Sequence, residues 1–277
     1  MNKFLILIVL YECKIEESLS YISLFKSSAY LSNSKLIFWD NSASIQSVDF
    51  DGISFLQQVK YIHTPKNISL SKIYNKVIQN NEGYDYLIIL DQDSSFESDY
   101  FEKLNSAVTE HSSINLFLPL IKSGKTIVSP GDYKIFKGSY WKKEQYGIID
   151  AKNILAINSG MAINFNYLKN MYKGYDERLR FYGTDTFFMF EYSKDNNVLF
   201  VIDYVFKHSS ALLDRDEGVH HQIMRLNDLF FSWKITNEHH KFNLLVINIY
   251  ILMKIFKLVI KYKNFKYLEL LKIHSYD

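Results

Sequence analysis

The 277-residue sequence predicts an α/β fold, in which a mostly parallel β-sheet is flanked by helices and followed by a C-terminal helical extension. Two patterns predict this class. Short apolar runs alternate with amphipathic stretches through residues 1–110, a rhythm typical of parallel strands joined by helical crossovers. Towards the C-terminus, apolar residues recur at helical spacing instead. We therefore divide the chain into residues 1–225, with halves 1–110 and 111–225, and a helical segment, 226–277.

The first half contains four predicted strands and three predicted helices. Each strand is a short apolar run that ends at polar residues, and each helix carries apolar residues three or four positions apart. The strands are Phe4–Leu10, Lys35–Trp39, Val59–His63 and Tyr86–Leu90, and the helices are Ile15–Ser28, Leu70–Asn80 and Ser98–Glu110. The first apolar run lacks a small-residue cleavage site, so we interpret it as a buried strand rather than a signal peptide.

The second half is less regular. Its predicted strands or extended segments are Leu116–Ile121, Ile127–Ser129, Tyr133–Phe136, Lys152–Ile157 and Val198–Tyr204, and its helices are Asn166–Met171, Asp185–Asn196 and the tail Leu226–Ile273. Lysine and asparagine interrupt the apolar part of the tail, so we expect no membrane span. Two interpretations of the tail stay open: a helix that covers the main domain, or a basic amphipathic helix on an anionic membrane surface.

Overall charge and cysteine content exclude several classes of protein. The 32 basic and 30 acidic side chains give a formal charge of +2, and no basic stripe in the first half indicates nucleic-acid binding. Cys13 is the only cysteine, which excludes an internal disulfide and a cysteine-based zinc site. This usage fits a reducing compartment, so we expect a cytoplasmic protein, peripheral to the inner face of the plasma membrane if the tail binds lipid.

The triplet Asp91-Gln92-Asp93 follows the apolar run Leu87–Leu90 and is the most informative motif. Side chains two positions apart in a strand point the same way, so both carboxylates would lie on one side past the strand end. Carboxylate oxygens suit Mg²⁺ or Mn²⁺, and such a cation binds diphosphates. The triplet therefore predicts a metal site that faces a phosphorylated ligand.

Other polar residues follow the remaining predicted strands. Tyr11 and Glu12 follow the first, Asp40 the second and Asn67 the third, and the carboxyl ends of parallel strands share one edge where ligands bind. Asp40 has two interpretations, an acceptor of hydrogen bonds from a nucleobase or ribose, or a residue of an Asp-Asn-Ser turn.

Asp185 is the candidate general base. It opens a predicted helix, and Arg178 and Arg180 precede it closely enough that we expect them to keep it ionised. His208 follows a strand and could complete the metal site or contact a diphosphate. The group His220, His221 and Arg225 could contact phosphate oxygens.

Four motifs occur in order along the chain. They are the stretch Asn67–Asn75, the tetrapeptide Asp91–Ser94, the turn Asn158–Met161, and Tyr175–Leu179 followed by Gly183–Asp185. In this order they resemble family 2 glycosyltransferases of the GT-A fold, of the bacterial surface-polysaccharide type that includes rhamnosyl- and galactofuranosyltransferases. The resemblance covers roughly Phe4 to Lys234. Many members carry Glu-Asp at the base, and Thr184-Asp185 here points to Asp185 alone.

The resemblance implies a GT-A (Rossmann-like) sheet and transfer with inversion from a nucleoside-diphosphate sugar, either UDP- or dTDP-linked, to a glycan or lipid-linked acceptor. It implies Mg²⁺ or Mn²⁺ as cofactor, with Asp91, Asp93 and His208 as candidate ligands. The implied nucleotide-sugar contacts are Leu10, Tyr11, Glu12, Asp40, Asn67, Ser71, Asn75, Asp91, Gln92 and Gly160. A nucleotidyltransferase and a catalytically inactive glycosyltransferase-like binding protein remain as alternatives.

Overall fold

A computed structural model describes residues 2–47, 50, 53, 55–208 and 218–272, without the side chains of residues 207 and 208. The strands in these parts are β1 (Phe4–Leu10), β2 (Lys35–Asp40), β3 (Gln58–His63), β4 (Tyr86–Asp91), β5 (Ser94–Ser95), β6 (Leu116–Ser123), β7 (Thr126–Ser129), β8 (Gly131–Lys134), β9 (Lys137–Tyr140), β10 (Gly147–Asp150), β11 (Ile154–Leu155), β12 (Met161–Asn164) and β13 (Val198–His208). The helices are α1 (Leu19–Phe25), α2 (Leu70–Gln79), α3 (Asp99–Glu110), α4 (Phe165–Asn170), α5 (Thr184–Asp195), α6 (Val219–Thr236) and α7 (Lys241–Tyr262).

The first four strands form the parallel part of a central sheet, in the order β4, β1, β2, β3. β1 and β2 are apolar and almost wholly buried because both faces of the sheet are covered. The register pairs Leu10 with Asp40, Asp40 with His63, and Val9 with Asp91. The strands therefore end level with one another, and the predicted shared edge is present.

The sheet continues from β4 through β12, β6 and β13 to β10. β12 runs antiparallel to both neighbours, β13 is parallel to β6, and β10 is antiparallel at the far edge. Most strands along this path thus point one way, and the predicted α/β class with a mostly parallel sheet is confirmed. The antiparallel strand β12 and the edge strand β10 are not part of the sequence prediction.

A small second sheet of three antiparallel strands, β11, β8 and β9, replaces two predicted segments. Tyr133 and Lys134 of the predicted segment Tyr133–Phe136 belong to β8, and residues 135–136 form the turn of the β8–β9 hairpin. Only residues 154–155 of the predicted strand Lys152–Ile157 pair. The predicted helix Ile15–Ser28 is also shorter, because Ser18 caps α1 by accepting a hydrogen bond from the Tyr21 N–H.

Apolar side chains fill both faces of the central sheet. On one face α2, α4 and α5 pack on the strands, with Tyr74, Leu168 and Phe188 in the core. On the other, α1 and α3 contribute Leu24 and Phe101. The covered faces leave the carboxyl edge of the parallel strands as the open part of the sheet.

The C-terminal segment forms a third apolar cluster rather than one continuous helix. α6, α7 and a short 3₁₀ helix, Phe265–Leu271, pack around Phe230, Ile251 and Phe136, the last from the β8–β9 turn. The predicted domain boundary between residues 225 and 226 falls inside α6. By length and composition alone, α7 is long and apolar enough to cross a membrane, with a mean hydropathy of 1.9 in a window that is 17% buried.

Candidate functional site

Side chains at the strand ends tie β1 to the acidic triplet. The Tyr11 N–H donates to Gln92 Oε1 at 2.8 Å, and the Gln92 amide donates back to the Tyr11 carbonyl at 3.4 Å. Ser20 Oγ donates to the Asp91 carbonyl at 2.5 Å. The middle residue of the triplet is therefore held by the backbone of Tyr11, directly after β1.

Asp91 lies among other negative charges. Burial raises its pKa to about 7, together with the charges of Asp93 and Asp185, while a hydrogen bond from Ser159 acts in the opposite direction. A carboxylate in this state gains strongly from a nearby cation, because the cation offsets both the burial and the repulsion. The electrostatics at Asp91 thus favour a bound cation.

A cavity of about 440 Å³ opens at this edge of the sheet. The strand ends form one wall, and the loop 180–182 together with α6 forms the other. The lining residues are Val9, Tyr11, Asn41, Asn67, Leu70, Asp91, Gln92, Arg180, Phe181, Tyr182, His221, Met224, Arg225 and Asp228. We call this the first cavity. Its size lies within the range of small-molecule sites.

The wall opposite the triplet carries basic side chains. The basic residues His221 and Arg225 and the acidic residue Asp228 recur at helical spacing on α6 and face the first cavity together. Arg180 joins them from the loop before α5, and its charge partly offsets the rise that burial produces in the pKa of Asp228. Guanidinium groups bind phosphate oxygens in a bidentate manner, so this wall suits a diphosphate.

Two predicted nucleotide-sugar contacts, Ser71 and Asn75, hold this loop instead of lining the first cavity. Ser71 Oγ donates to the Leu179 carbonyl at 2.5 Å. The Asn75 side chain bonds both backbone groups of Tyr175, donating at 2.9 Å and accepting at 2.8 Å. Neither side chain lines the first cavity, and both hold the backbone of the segment 175–179 that leads to Arg180.

Asp40 is fully buried, and its carboxylate bonds within the chain. It accepts hydrogen bonds from the Ser42 N–H at 2.9 Å, Gln46 Nε2 at 2.8 Å and Tyr61 Oη at 2.6 Å. Burial raises its pKa, but these hydrogen bonds outweigh burial and leave the pKa below its ordinary value. Of the two sequence interpretations, the geometry matches the turn residue, and the neighbouring Asn41 faces the first cavity.

The other predicted contacts divide between cavity and core. Tyr11 and Asn67 line the first cavity, and Asn67 has a left-handed φ of 44°. Leu10 is buried in the sheet, and Glu12 accepts from the Ala43 N–H at 3.1 Å beside the strand ends. Gly160 is buried with a φ of 74°, and a Cβ there would lie 2.7 Å from the Phe206 ring. Gly160 thus serves packing between β12 and β13.

Asp185 stands in the first turn of α5, next to Asp91. Its carboxylate accepts from the Thr186 N–H at 2.7 Å, which holds it at the helix N-terminus. Burial raises its pKa, and the Thr186 hydrogen bonds only partly counteract this. The expectation that Arg178 keeps it ionised is wrong, because Arg178 pairs with Asp176 and Glu238 at the surface.

A second cavity, of about 490 Å³, lies on the far side of Asp185. It is formed by the β8–β9 hairpin, the segment 155–157 and the later turns of α6. Besides Asp185 and Thr186, its lining residues are Val128, Gly131, Phe136, Lys137, Gly138, Ser139, Tyr140, Leu155, Ala156, Ile157, Leu229 and Trp233. The pair Asp91 and Asp185 therefore stands between two cavities, with Asp91 lining the first and Asp185 the second.

The site contains side chains that can ligate a metal ion, but only a few. Asp91 and Asp93 offer the oxygen ligands that Mg²⁺ and Mn²⁺ prefer. Among the described residues, no group of three His, Cys, Asp or Glu side chains could hold an ion. The side chain of His208, the third predicted ligand, lies outside the described part. The two aspartates fit a cation whose other ligands come from a bound diphosphate and water.

Several cavity residues are absent from the sequence prediction. These are Asn41, Phe181, Tyr182, Met224 and Asp228 in the first cavity, and Thr186, Leu229, Trp233 and the β8–β9 hairpin in the second. The helical spacing of the α6 residues is a signal that could have grouped them. Of α6, the sequence predicts only His220, His221 and Arg225 as phosphate contacts, and of these His221 and Arg225 line the first cavity.

No protein-family model and no curated protein sequence matches this chain. Several solved structures do match it. The crystal structure of S. aureus TarS 1-349 is 15% identical with a TM-score of 0.54, covering 87% of this chain and 74% of that one. The same fragment in complex with UDP-GlcNAc is 16% identical with a TM-score of 0.56, covering 84% and 66%. GalNAc-T7 with UDP, GalNAc and Mn²⁺ is 13% identical with a TM-score of 0.56, covering 75% and 44%.

The chain spans only part of the longer neighbours and covers 43% of the chain in the crystal structure of S. aureus TarS. At identities of 13–16% the likeness bears on the fold alone. The chain has the α/β fold of GT-A glycosyltransferases, and it shares this fold with these neighbours over most of its length.

Proposed function

We propose that this chain is a glycosyltransferase that moves a sugar from a nucleoside-diphosphate donor to an acceptor hydroxyl. The observation that carries the proposal is the first cavity, which Asp91 and Gln92 of the acidic triplet line together with Arg180 and Arg225. The GT-A fold supports it, because neighbours of the same fold are solved with UDP or UDP-GlcNAc bound.

The first cavity suits the donor. Arg180, Arg225 and His221 would contact the diphosphate, and the half-exposed ring of Tyr11 offers a stacking surface for the nucleobase. A Mg²⁺ or Mn²⁺ ion held by Asp91 and Asp93 would neutralise charge on the diphosphate as it leaves. We propose UDP- or dTDP-sugars as donors, with a hexose or a deoxyhexose such as rhamnose.

Asp185 is the proposed general base. Its carboxylate takes the proton from the acceptor hydroxyl, whose oxygen forms a bond to the anomeric carbon while the bond from that carbon to the diphosphate breaks. One in-line displacement inverts the anomeric configuration. Because burial raises the pKa of Asp185, the carboxylate is a stronger base than an exposed aspartate.

The second cavity suits the acceptor. It reaches Asp185 from the side away from the first cavity and carries the aromatic rings of Phe136, Tyr140 and Trp233, which offer flat apolar surfaces to a sugar ring. We propose a glycan or lipid-linked saccharide acceptor. The setting would be synthesis of a bacterial surface polysaccharide at the cytoplasmic side of the membrane.

Two alternatives are weaker. A nucleotidyltransferase normally binds triphosphate with a glycine-rich loop after the first strand, and residues 10–14 contain no glycine. A catalytically inactive binding protein of the same fold would need no general base, yet Asp185 stands beside the acidic triplet.

The test combines donor binding and turnover. We expect a UDP- or dTDP-sugar to raise the melting temperature more with Mn²⁺ than without it, and the wild type to release nucleoside diphosphate slowly to water. Asp185→Asn should lower turnover by about 10²- to 10⁴-fold and keep the donor-induced shift, because a base is removed and the first cavity is unchanged.

Asp195→Asn, at the exposed end of the same helix, is the matched control and should retain wild-type turnover. Full activity of Asp185→Asn would exclude Asp185 as the base. A failure of UDP-, dTDP- and GDP-sugars alike to shift the melting temperature would contradict the proposed donor class.

A further inference from the structure

α7 has two apolar faces, of which the fold uses one. Ile247, Ile251 and Ile255 are buried in the cluster with α6 and the 3₁₀ helix. The opposite side, which we call the outer face, consists of Phe242, Leu245, Ile249, Leu252, Met253, Phe256 and Ile260, each 45–75% exposed. At about 100° per residue these seven side chains fall within an arc of roughly 100°. A continuous apolar stripe thus runs the length of the helix without a partner among the described residues.

The charge around the outer face is one-sided. Residues 241–272 contain seven lysines and one acidic residue, Glu269, which gives +6, whereas the whole chain carries +2 and the rest of it therefore −4. α7 itself contains no acidic residue. Lys241 and Lys257 lie roughly 70° to 90° from the midline of the stripe, one on each side. The apolar stripe is therefore bordered by positive charge.

This combination selects one occupant. A second copy would bring two segments of +6 together, and their repulsion opposes a dimer through this face. A helix that crossed a bilayer would have to leave α6, which exposes the buried face of Ile247, Ile251 and Ile255. An anionic bilayer surface satisfies both features at once, since acyl chains accept the apolar stripe and lipid phosphates accept the lysines.

We propose that the outer face of α7 docks this protein on an anionic lipid bilayer, with the helix lying in the plane of the membrane surface. Phe265, which is 76% exposed just beyond α7, extends the apolar surface. α6 packs on α7 and also lines both cavities, so docking holds the two cavities near the lipid surface. The proposal concerns only this surface and holds whether or not the cavities transfer a sugar.

The test is co-sedimentation of the full chain with vesicles. We expect the chain to bind phosphatidylglycerol–phosphatidylcholine vesicles at least tenfold more tightly than pure phosphatidylcholine vesicles, and added salt to weaken this binding. Replacing Ile249 and Phe256 together by glutamine should weaken binding at least tenfold. Lys257→Gln should weaken it about fivefold, the effect of one surface lysine.

The matched control replaces Ile45 and Ile148, two apolar residues outside α7 that are at least as exposed, by glutamine and should bind as the wild type does. Unchanged melting temperatures would show that all variants fold. Equal binding to both kinds of vesicle, or wild-type binding of the Ile249 and Phe256 variant, would overturn the proposal. Binding that resists alkaline extraction would indicate a spanning helix, and a dimer lost with Phe256→Gln in the absence of vesicle binding would indicate a second copy; either result also overturns it.

Discussion

The carboxylates of Asp91 and Asp185 are close enough that the charge of Asp185 helps to raise the pKa of Asp91. Two half-buried anions side by side are unfavourable unless cations lie near them. Arg180 and Arg225 supply positive charge across the first cavity. Single side chains on three different elements thus set the electrostatics of the site.

Arg180 and Arg178 are nearby arginines with different surroundings, so their alanine variants can be compared directly. Arg180 lines the first cavity, whereas Arg178 makes surface ion pairs with Asp176 and Glu238. We expect Arg180→Ala to weaken donor binding by about 10- to 100-fold, the usual loss when a charged hydrogen bond is removed. Arg178→Ala should change donor affinity less than about threefold, since exposed ion pairs contribute little. Calorimetric titration with the best donor from the thermal-shift screen measures both, and equal affinities would contradict the assignment of Arg180.

The sequence predicted which residues lie near the first cavity more reliably than it predicted the direction of their side chains. Asp91, Gln92, Tyr11 and Asn67 all line the first cavity, because parallel strands end at a common edge whatever their side chains do. Ser71 lies inside α2 instead and binds the Leu179 carbonyl. Spacing alone does not tell which side of a helix meets a loop that is over a hundred residues away in the chain.

Close packing of α5 on α6 depends on a glycine between elements. Gly183 precedes α5 with a φ of 84°, and a Cβ there would lie 2.3 Å from the Cβ of Ser232 on α6. Both helices carry residues of the two cavities. A change in the distance between α5 and α6 at this point would therefore move residues that line both cavities.

Gly183→Ala should lower the free energy of unfolding by about 3 kcal/mol, because left-handed strain of about 1–2 kcal/mol adds to overpacking of about 1–3 kcal/mol. Gly83→Ala separates the two causes, since Gly83 has a φ of 78° but open space at the Cβ position. Gly83→Ala should lower the free energy of unfolding by the strain alone, about 1–2 kcal/mol. Urea unfolding monitored by circular dichroism measures both variants. Equal losses would mean that the contact with Ser232 relaxes without cost.

The molecule as a whole places a cavity on either side of one carboxylate pair. β-strand ends and a loop form the first cavity, and the small sheet of β8, β9 and β11 forms much of the second. α6 is common to both. Because the two cavities share no lining residue, mutations should affect donor binding and acceptor binding separately.

Tyr140 tests this separation. Its ring lines the second cavity and is 55% exposed, so truncation should not unfold the protein. We expect Tyr140→Ala to raise the acceptor KM by about tenfold, the worth of an aromatic contact, and to leave donor-driven thermal shifts unchanged. Tyr140→Phe keeps the ring and should behave as the wild type does. A change in donor affinity with unaltered acceptor KM would place the acceptor elsewhere.

The sequence predicted the class of fold because apolar strands and amphipathic helices alternate in the first half with a clear period. It missed β10 and β12, and it misplaced the small sheet. Those strands are two to four residues long, so too few residues show a period, and β10 and β12 also pair with partners remote in the chain.

The continuity of α6 also bears on how this protein can be divided. A gene shortened at residue 225, where the hydrophobic pattern changes, would end in the middle of that helix. Asp228 would be lost from the first cavity, and Leu229 and Trp233 from the second. The C-terminal helices are therefore no detachable appendage. A minimal active fragment, if one is made, has to extend at least through the end of α6.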